Sequence, residues 1–90
     1  MIFEFDKRKS NANQVKHGID FVEAQRLWSD DRRVVIEARD VDEPRSMLIG
    51  CIGPVFWSAI FTYRDDRIRL ISVRRSREKE KAIYESEGIG

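Results

Sequence analysis

The sequence has one cysteine, one histidine and two prolines in 90 residues, and it has no long apolar run. Each shortage removes a class of protein. Cys51 cannot close an internal disulfide, which suits a reducing compartment. Set in an alternating apolar run, it reads as a small buried hydrophobe more readily than as a nucleophile. One His and one Cys cannot make a closed zinc site, and no Asp/Glu spacing fits a calcium loop or a His-Glu-x-x-His helix. No metal or cofactor is therefore expected, although surface carboxylates leave room for a loosely held magnesium ion. No window approaches the roughly 20 apolar residues of a membrane span, and the opening MIFEFDKRKSN lacks the apolar stretch of a secretory signal. A cytoplasmic protein without membrane contact is the expectation.

What is present suits one domain over residues 1–90, because two cores would each be too small to bury enough apolar surface. Hydrophobic residues make up 41% and include Trp28, Trp57 and five phenylalanines, enough for a modest core beside 37% charged residues. The net charge of +1 hides segregation along the chain. Lys7 to His17 holds four Lys/Arg and no acid, Asp20 to Pro44 holds eight acids against four bases, and Arg64 to Lys81 holds eight bases against four acids. If the two basic segments meet in space, they make an anion-binding face.

Ile2 to Phe5 suits a short edge strand, and Asp6 is placed to cap a helix ending at Gly18, with Ala12 and Val15 its apolar residues. Phe21, Ala24, Leu27 and Trp28 share a helical face, and Asp20 with Glu23 has the pattern of a capping box, which predicts a second helix over Phe21–Trp28. Arg33–Arg39, Arg45–Ile52, Val55–Tyr63 and Arg67–Arg74 read as strands, separated by turn residues at Asp40–Pro44, Gly53-Pro54 and Asp65-Asp66. In the last strand Ile68, Leu70 and Ser72 alternate with Arg69, Ile71 and Val73, which puts apolar groups on both faces, as in a strand inside a sheet. Ser76 then caps a final helix to Ser86, with Gly88 as its stop. The expectation is an α+β domain: an antiparallel sheet of about four strands plus a short N-terminal strand, two N-terminal helices and one C-terminal helix. Two helices are expected on one face of the sheet, leaving the other partly open beside basic side chains.

Phe3-Glu4-Phe5-Asp6, Lys9, Asn13, Lys16-His17-Gly18, Phe21, Glu23-Ala24 and Asp30 together resemble the BrnT family of bacterial type II toxins. The resemblance continues through Arg45, Gly50, Arg64, the run Arg69-Leu70-Ile71-Ser72-Val73-Arg74, Glu80 and Tyr84, and so covers nearly the whole chain in order. Phe5 stands where the family often has Trp, and Val73 where a smaller residue is common. The resemblance implies a RelE-like fold, metal-independent ribonuclease activity that inhibits translation, and neutralisation by a BrnA-type antitoxin. Operator DNA would be reached only through that antitoxin, and a dimer or a heterotetramer with it stays open.

Metal-independent cleavage of RNA proceeds by attack of a 2′-hydroxyl on the adjacent phosphate. It needs a base, an acid and cations around the phosphate. Arginine suits the last role because its planar fork holds two phosphate oxygens. Arg64 and Arg74 are the first candidates, since the basic cluster and the resemblance select the same positions, and Arg45 is next. Arg67, Arg69 and Arg77 fit supporting RNA contacts, and each of these arginines reads equally as a solvated surface residue. His17 is the one side chain with an unperturbed pKa near neutrality and, with Lys16, a candidate for proton transfer; at a helix C-terminus both also suit a capping role. Tyr84 could stack on a base or donate a proton, or simply pack its ring on the sheet. Trp28, Trp57, Phe56 and Phe61 read as core. Two other functions use the same arginines: a non-catalytic nucleic-acid-binding module, and a protein-interaction domain that receives an acidic segment.

Overall fold

Alternating apolar residues from Val34 onward form four strands, and the short apolar start forms a fifth in the structure, a computed structural model that describes residues 1–38 and 43–89. In chain order the elements are β1 (Ile2–Glu4), α1 (Lys7–His17), a 3₁₀ helix (Glu23–Ser29), β2 (Val34–Ala38), β3 (Arg45–Ile52), β4 (Val55–Arg64), β5 (Arg67–Arg75) and α2 (Glu78–Ile89). The sheet order is β1-β5-β4-β3-β2; β1 runs parallel to β5, and every other pair is antiparallel. Gly53 and Asp65 lie in the hairpin turns after β3 and β4 with φ of 59° and 54°, the left-handed region that Gly enters freely and Asp tolerates.

Asp6 caps α1 by accepting from the N–H groups of Arg8 at 2.8 Å and Lys9 at 3.2 Å, and Gly18 ends the helix at φ 80°. The weak amphipathicity of α1 has a structural reason: its buried residues are polar, Ser10 and Asn13. β1 pairs with β5 only as far as Glu4 opposite Arg69, so beyond that point the edge of β5 needs other partners. Asn13 supplies them. Its Nδ2 donates to the carbonyls of Val73 and Ile19, each at 2.8 Å, and its Oδ1 accepts from the Val73 N–H at 3.1 Å. Ser10 Oγ accepts from the Phe21 N–H at 2.9 Å. Helix α1 is thus docked by hydrogen bonds and brings the first basic segment beside the second.

One face of the sheet carries the core. Leu48, Trp57, Ala59, Phe61, Ile68, Leu70 and Val73 meet Ile19, Phe21, Ala24 and Leu27, with Phe3 and Trp28 packed against them. Trp28 is edge-on to both Phe3 and Phe61 at 5.1 Å between ring centres. Helix α2 lies on the other face, against β2 and β3. An irregularity in the β4–β5 pairing lets Ile60 oppose Ser72 while Phe61 opposes Leu70, so Ile71 is an extra residue in β5.

The short N-terminal strand, the four later strands, the cap at Asp6 and the stop at Gly18 stand as expected; the end of the strand predicted to reach Arg39 and the turn residues 40–42 lie outside the described residues. Five expectations need correction. The helix predicted over Phe21–Trp28 is a 3₁₀ helix, Glu23–Ser29. Its capping box is half formed: the Glu23 N–H donates to Asp20 Oδ1 at 2.8 Å, but the Glu23 carboxylate turns to Arg26. The terminal helix starts at Glu78 and continues through Gly88, and Ser76 is buried against Ser58. The helices do not share one face, because α2 crosses to the other side. Finally, the simple alternation expected along β5 breaks at Ile71, which puts Val73 in the core and Ser72 on the opposite side.

Candidate nucleic-acid interface

Strand pairing arranges the non-core face as three rows of side chains. The first runs Ala38, Arg45, Thr62, Arg69 and Glu4 from β2 to β1; the second runs Ile36, Met47, Ile60 and Ser72; the third runs Val34, Ile49, Ser58 and Arg74. Arg64 and Arg67 face each other beyond the first row. Helix α2 covers the third row, where Ile49 and Ser58 are buried. The second row is half-buried along its whole length. The result is an apolar strip with arginines on either side.

The basic cluster seen in the sequence is partly neutralised in three dimensions. Arg69 Nη1 lies 2.8 Å from Glu4 Oε2, Arg67 is 3.9 Å from the same carboxylate, and Arg64 is 3.9 Å from Glu43. Arg64 and Arg67 stay exposed, so those long contacts are weak ones.

Arg74 is different. Its Nη1 and Nη2 donate to Glu80 Oε1 and Oε2, each at 2.8 Å, and Nη1 also reaches the Arg75 carbonyl at 3.1 Å. Glu80 Oε1 further accepts from Ser58 Oγ and from the Arg77 N–H, both at 2.8 Å. Because the Ser58 proton points to Glu80, the 2.7 Å contact between Ser58 and Ser76 has Ser76 as donor. The Arg74 guanidinium, then the N–H and hydroxyl donors, hold the Glu80 carboxyl down at about 2 despite its burial. Glu80 in turn raises the pKa of Arg74.

A second network fixes the other end of α2. The pairing of β2 with β3 stops at Val34 opposite Ile49, which leaves the edge of β3 open at Cys51. The Cys51 N–H donates to Asp30 Oδ2 at 2.8 Å, the Tyr84 hydroxyl donates to the same oxygen at 2.9 Å, and Asp30 Oδ1 accepts from the Arg32 N–H. Burial works against ionisation of Asp30, but these three donors outweigh it and lower its pKa. Burial first, then the Asp30 bond, pushes the Tyr84 hydroxyl well above its usual range, and burial also raises Cys51. Cys51 borders a cavity of about 500 Å³ with Arg26, Ser29, Asp30 and Arg32.

The structure therefore separates the residues singled out in the sequence. Arg45, Arg64, Arg67, Arg69 and Arg74 share one face. Arg64 and Arg74 stand at opposite ends of it: six residues of β4 separate the partner positions Ser58 and Arg64, about 20 Å in a strand. They cannot grip the same phosphate. Arg77 contributes its N–H to Glu80 while its side chain is exposed. Tyr84 is half-buried and edge-on to Phe56 at 5.3 Å. His17 and Lys16 end α1, one turn beyond Asn13, and neither side chain is hydrogen-bonded or ion-paired to another described residue. Ser58, Ser76 and Asp30 were not among the site residues expected from sequence. Nothing local marks Ser58, and Ser76 is marked only as a helix cap, whereas Glu80, six residues after Arg74 in a basic run, is a carboxylate where charge alone favours none.

Fold and face together define the class: a small α+β domain with a five-strand mixed sheet and an arginine-bearing, partly open face. The particular family follows from the sequence. The chain belongs to the BrnT family, since the family model described as the ribonuclease toxin BrnT of type II toxin-antitoxin systems matches residues 5–80. Membership implies ribonuclease activity, an RNA target and an antitoxin partner. No curated protein matches the chain.

Proposed function

We propose that the chain is a RelE-like endoribonuclease toxin that cuts RNA without a metal in the cytoplasm, inhibits translation, and is neutralised by a BrnA-type antitoxin. The observation that carries the reading is the placement of Arg74. It stands beside an apolar strip suited to an unstacked base, with Arg45 and Arg69 two rows away. Four residues of β4 separate those rows, about 13 Å, room for more than one nucleotide of a single strand between two cationic sites. Arg74 would stabilise the negative charge that develops on the phosphate under attack. Arg45, Arg64, Arg67, Arg69 and Arg77 would hold the flanking backbone, and Tyr84 would support the site through α2. His17 and Lys16 are the proton-transfer candidates on chemical grounds, since imidazole and ammonium are the groups near α1 that can exchange a proton. An antitoxin seated on the same face would block substrate entry.

Purified chain, freed of antitoxin, is incubated with RNA in EDTA, beside Arg74→Ala, Arg64→Ala and His17→Ala. Cleavage by the unaltered chain is expected, with loss of roughly 10²-fold or more in Arg74→Ala and a smaller loss in Arg64→Ala. Intact RNA with the folded, unaltered chain rejects the catalytic reading and leaves a binding module. Equal cleavage by all four proteins rejects the site.

A further inference from the structure

A guanidinium has five N–H donors. In Arg74 both Nη1 hydrogens are engaged, by Glu80 Oε1 and the Arg75 carbonyl, and one Nη2 hydrogen is engaged by Glu80 Oε2. The two that remain are the Nε–H and the second Nη2–H. These lie side by side on one edge of the plane and form the second fork of the group, with the spacing that takes two oxygens of a phosphate. Glu80 therefore does not compete for the edge a phosphate would use.

Glu80 is itself immobilised. Besides Arg74 it accepts from Ser58 on β4 and from the Arg77 N–H at the start of α2, and the residue is only 9% exposed. A long, flexible side chain on a strand is thereby held in one orientation by a carboxylate that belongs to the helix. We infer that Glu80 is a positioning residue for the RNA-cleaving reaction: it grips Arg74 end-on so that the side-on fork is presented to the substrate phosphate. This rests on the reading of Arg74 as a phosphate contact. An ion pair of purely structural value would leave that second fork idle and would tolerate lysine in place of arginine, because an ammonium satisfies a carboxylate without any fork.

The test is steady-state cleavage of a short single-stranded RNA by the full chain carrying Glu80→Gln, Arg74→Lys, or the exchange Arg74→Glu with Glu80→Arg, each first shown folded by circular dichroism and urea denaturation. Glu80→Gln is expected to lower kcat by about 10–100-fold with little change in KM, the usual scale for residues that orient a reacting group. Arg74→Lys keeps an ion pair and a folded chain but loses the fork, and kcat falls by about 10²-fold. The exchange restores stability relative to Arg74→Glu alone and Glu80→Arg alone, prepared beside it, and does not restore cleavage. Wild-type or faster turnover by Glu80→Gln overturns the inference, and so does an exchange variant that regains both stability and cleavage. Should Glu80→Gln fail to fold, Glu80→Asp makes the same comparison, since the shorter carboxylate keeps the charge and draws the guanidinium away from its place. Loss of activity in Arg74→Lys with full activity in Glu80→Gln sinks only the positioning role. Full activity in Arg74→Lys sinks the assignment of Arg74 itself.

Discussion

Asn13 offers the sharpest test of how this fold is held together. Replacing it with alanine removes three hydrogen bonds and leaves the Val73 N–H, the Val73 carbonyl and the Ile19 carbonyl without their partner. An unsatisfied buried backbone group costs about 1–3 kcal/mol. Water can reach the edge of a sheet more easily than its middle, so the lower end of that range applies to each group, or about 3 kcal/mol together. A domain of this size has a total stability of about 5–13 kcal/mol, and the substitution should consume a quarter or more of it. Urea denaturation at neutral pH measures the loss, and amide hydrogen exchange locates it, because the Val73 N–H should lose protection ahead of its neighbours in β5. Asn13→Asp sharpens the comparison. A carboxylate still accepts from Val73 but sets negative charge against two carbonyls, so the variant is at least as unstable near neutrality and recovers in part as acid protonates it. A cost below about 1 kcal/mol for Asn13→Ala, or an unaltered exchange rate at Val73, would refute the idea that this one amide takes the place of a missing strand.

Glu80 should make stability pH-dependent in a defined window. Its carboxyl titrates near 4.5 when unfolded and at about 2 when folded, so its contribution is complete above pH 4.5 and is lost as pH falls towards 2, a change of about 3 kcal/mol. The stability gap between the unaltered chain and Glu80→Gln, followed by urea titration from pH 6 to pH 2.5, should lose most of its size over that interval; a gap that stays constant would rule out the ion pair as its source. Gly50 lies under the Asp30 network, and an added Cβ would stand 3.2 Å from Leu48 Cδ2 and 3.4 Å from both Leu27 Cδ2 and Asp30 Oδ2. Gly50→Ala should cost about 1–2 kcal/mol and lower Tm by roughly 5–10 °C, as read by thermal unfolding; an unchanged Tm would mean that Leu27 and Leu48 shift freely.

Signals within a few residues of one another were legible in the chain. Asp6 two and three residues before its N–H partners, Gly18 after Lys16-His17, and the turn pairs at Gly53 and Asp65 marked their elements correctly. What could not be read depends on contacts far apart in sequence. The parallel pairing of Ile2–Glu4 with β5 joins the two ends of the chain, and the side taken by α2 depends on Glu80 reaching Ser58, 22 positions away. The site follows the same division. Charge pattern and family resemblance drew attention to Arg74, but the carboxylate that orients it and the distance that separates it from Arg64 appear only when strand register is known.

The extra residue at Ile71 has a consequence for descent. Arg69 and Arg74 are an odd number of positions apart, so in a regular strand they would point to opposite sides; with one residue looped out of step, they point the same way. Losing the single codon for Ile71 would leave a regular strand in which the two arginines stand four positions apart and still share a side, with Val73 still in the core. Losing two codons there would instead turn over everything beyond the gap. Relatives that keep the face should therefore be found with the extra residue or without it, and not two residues shorter.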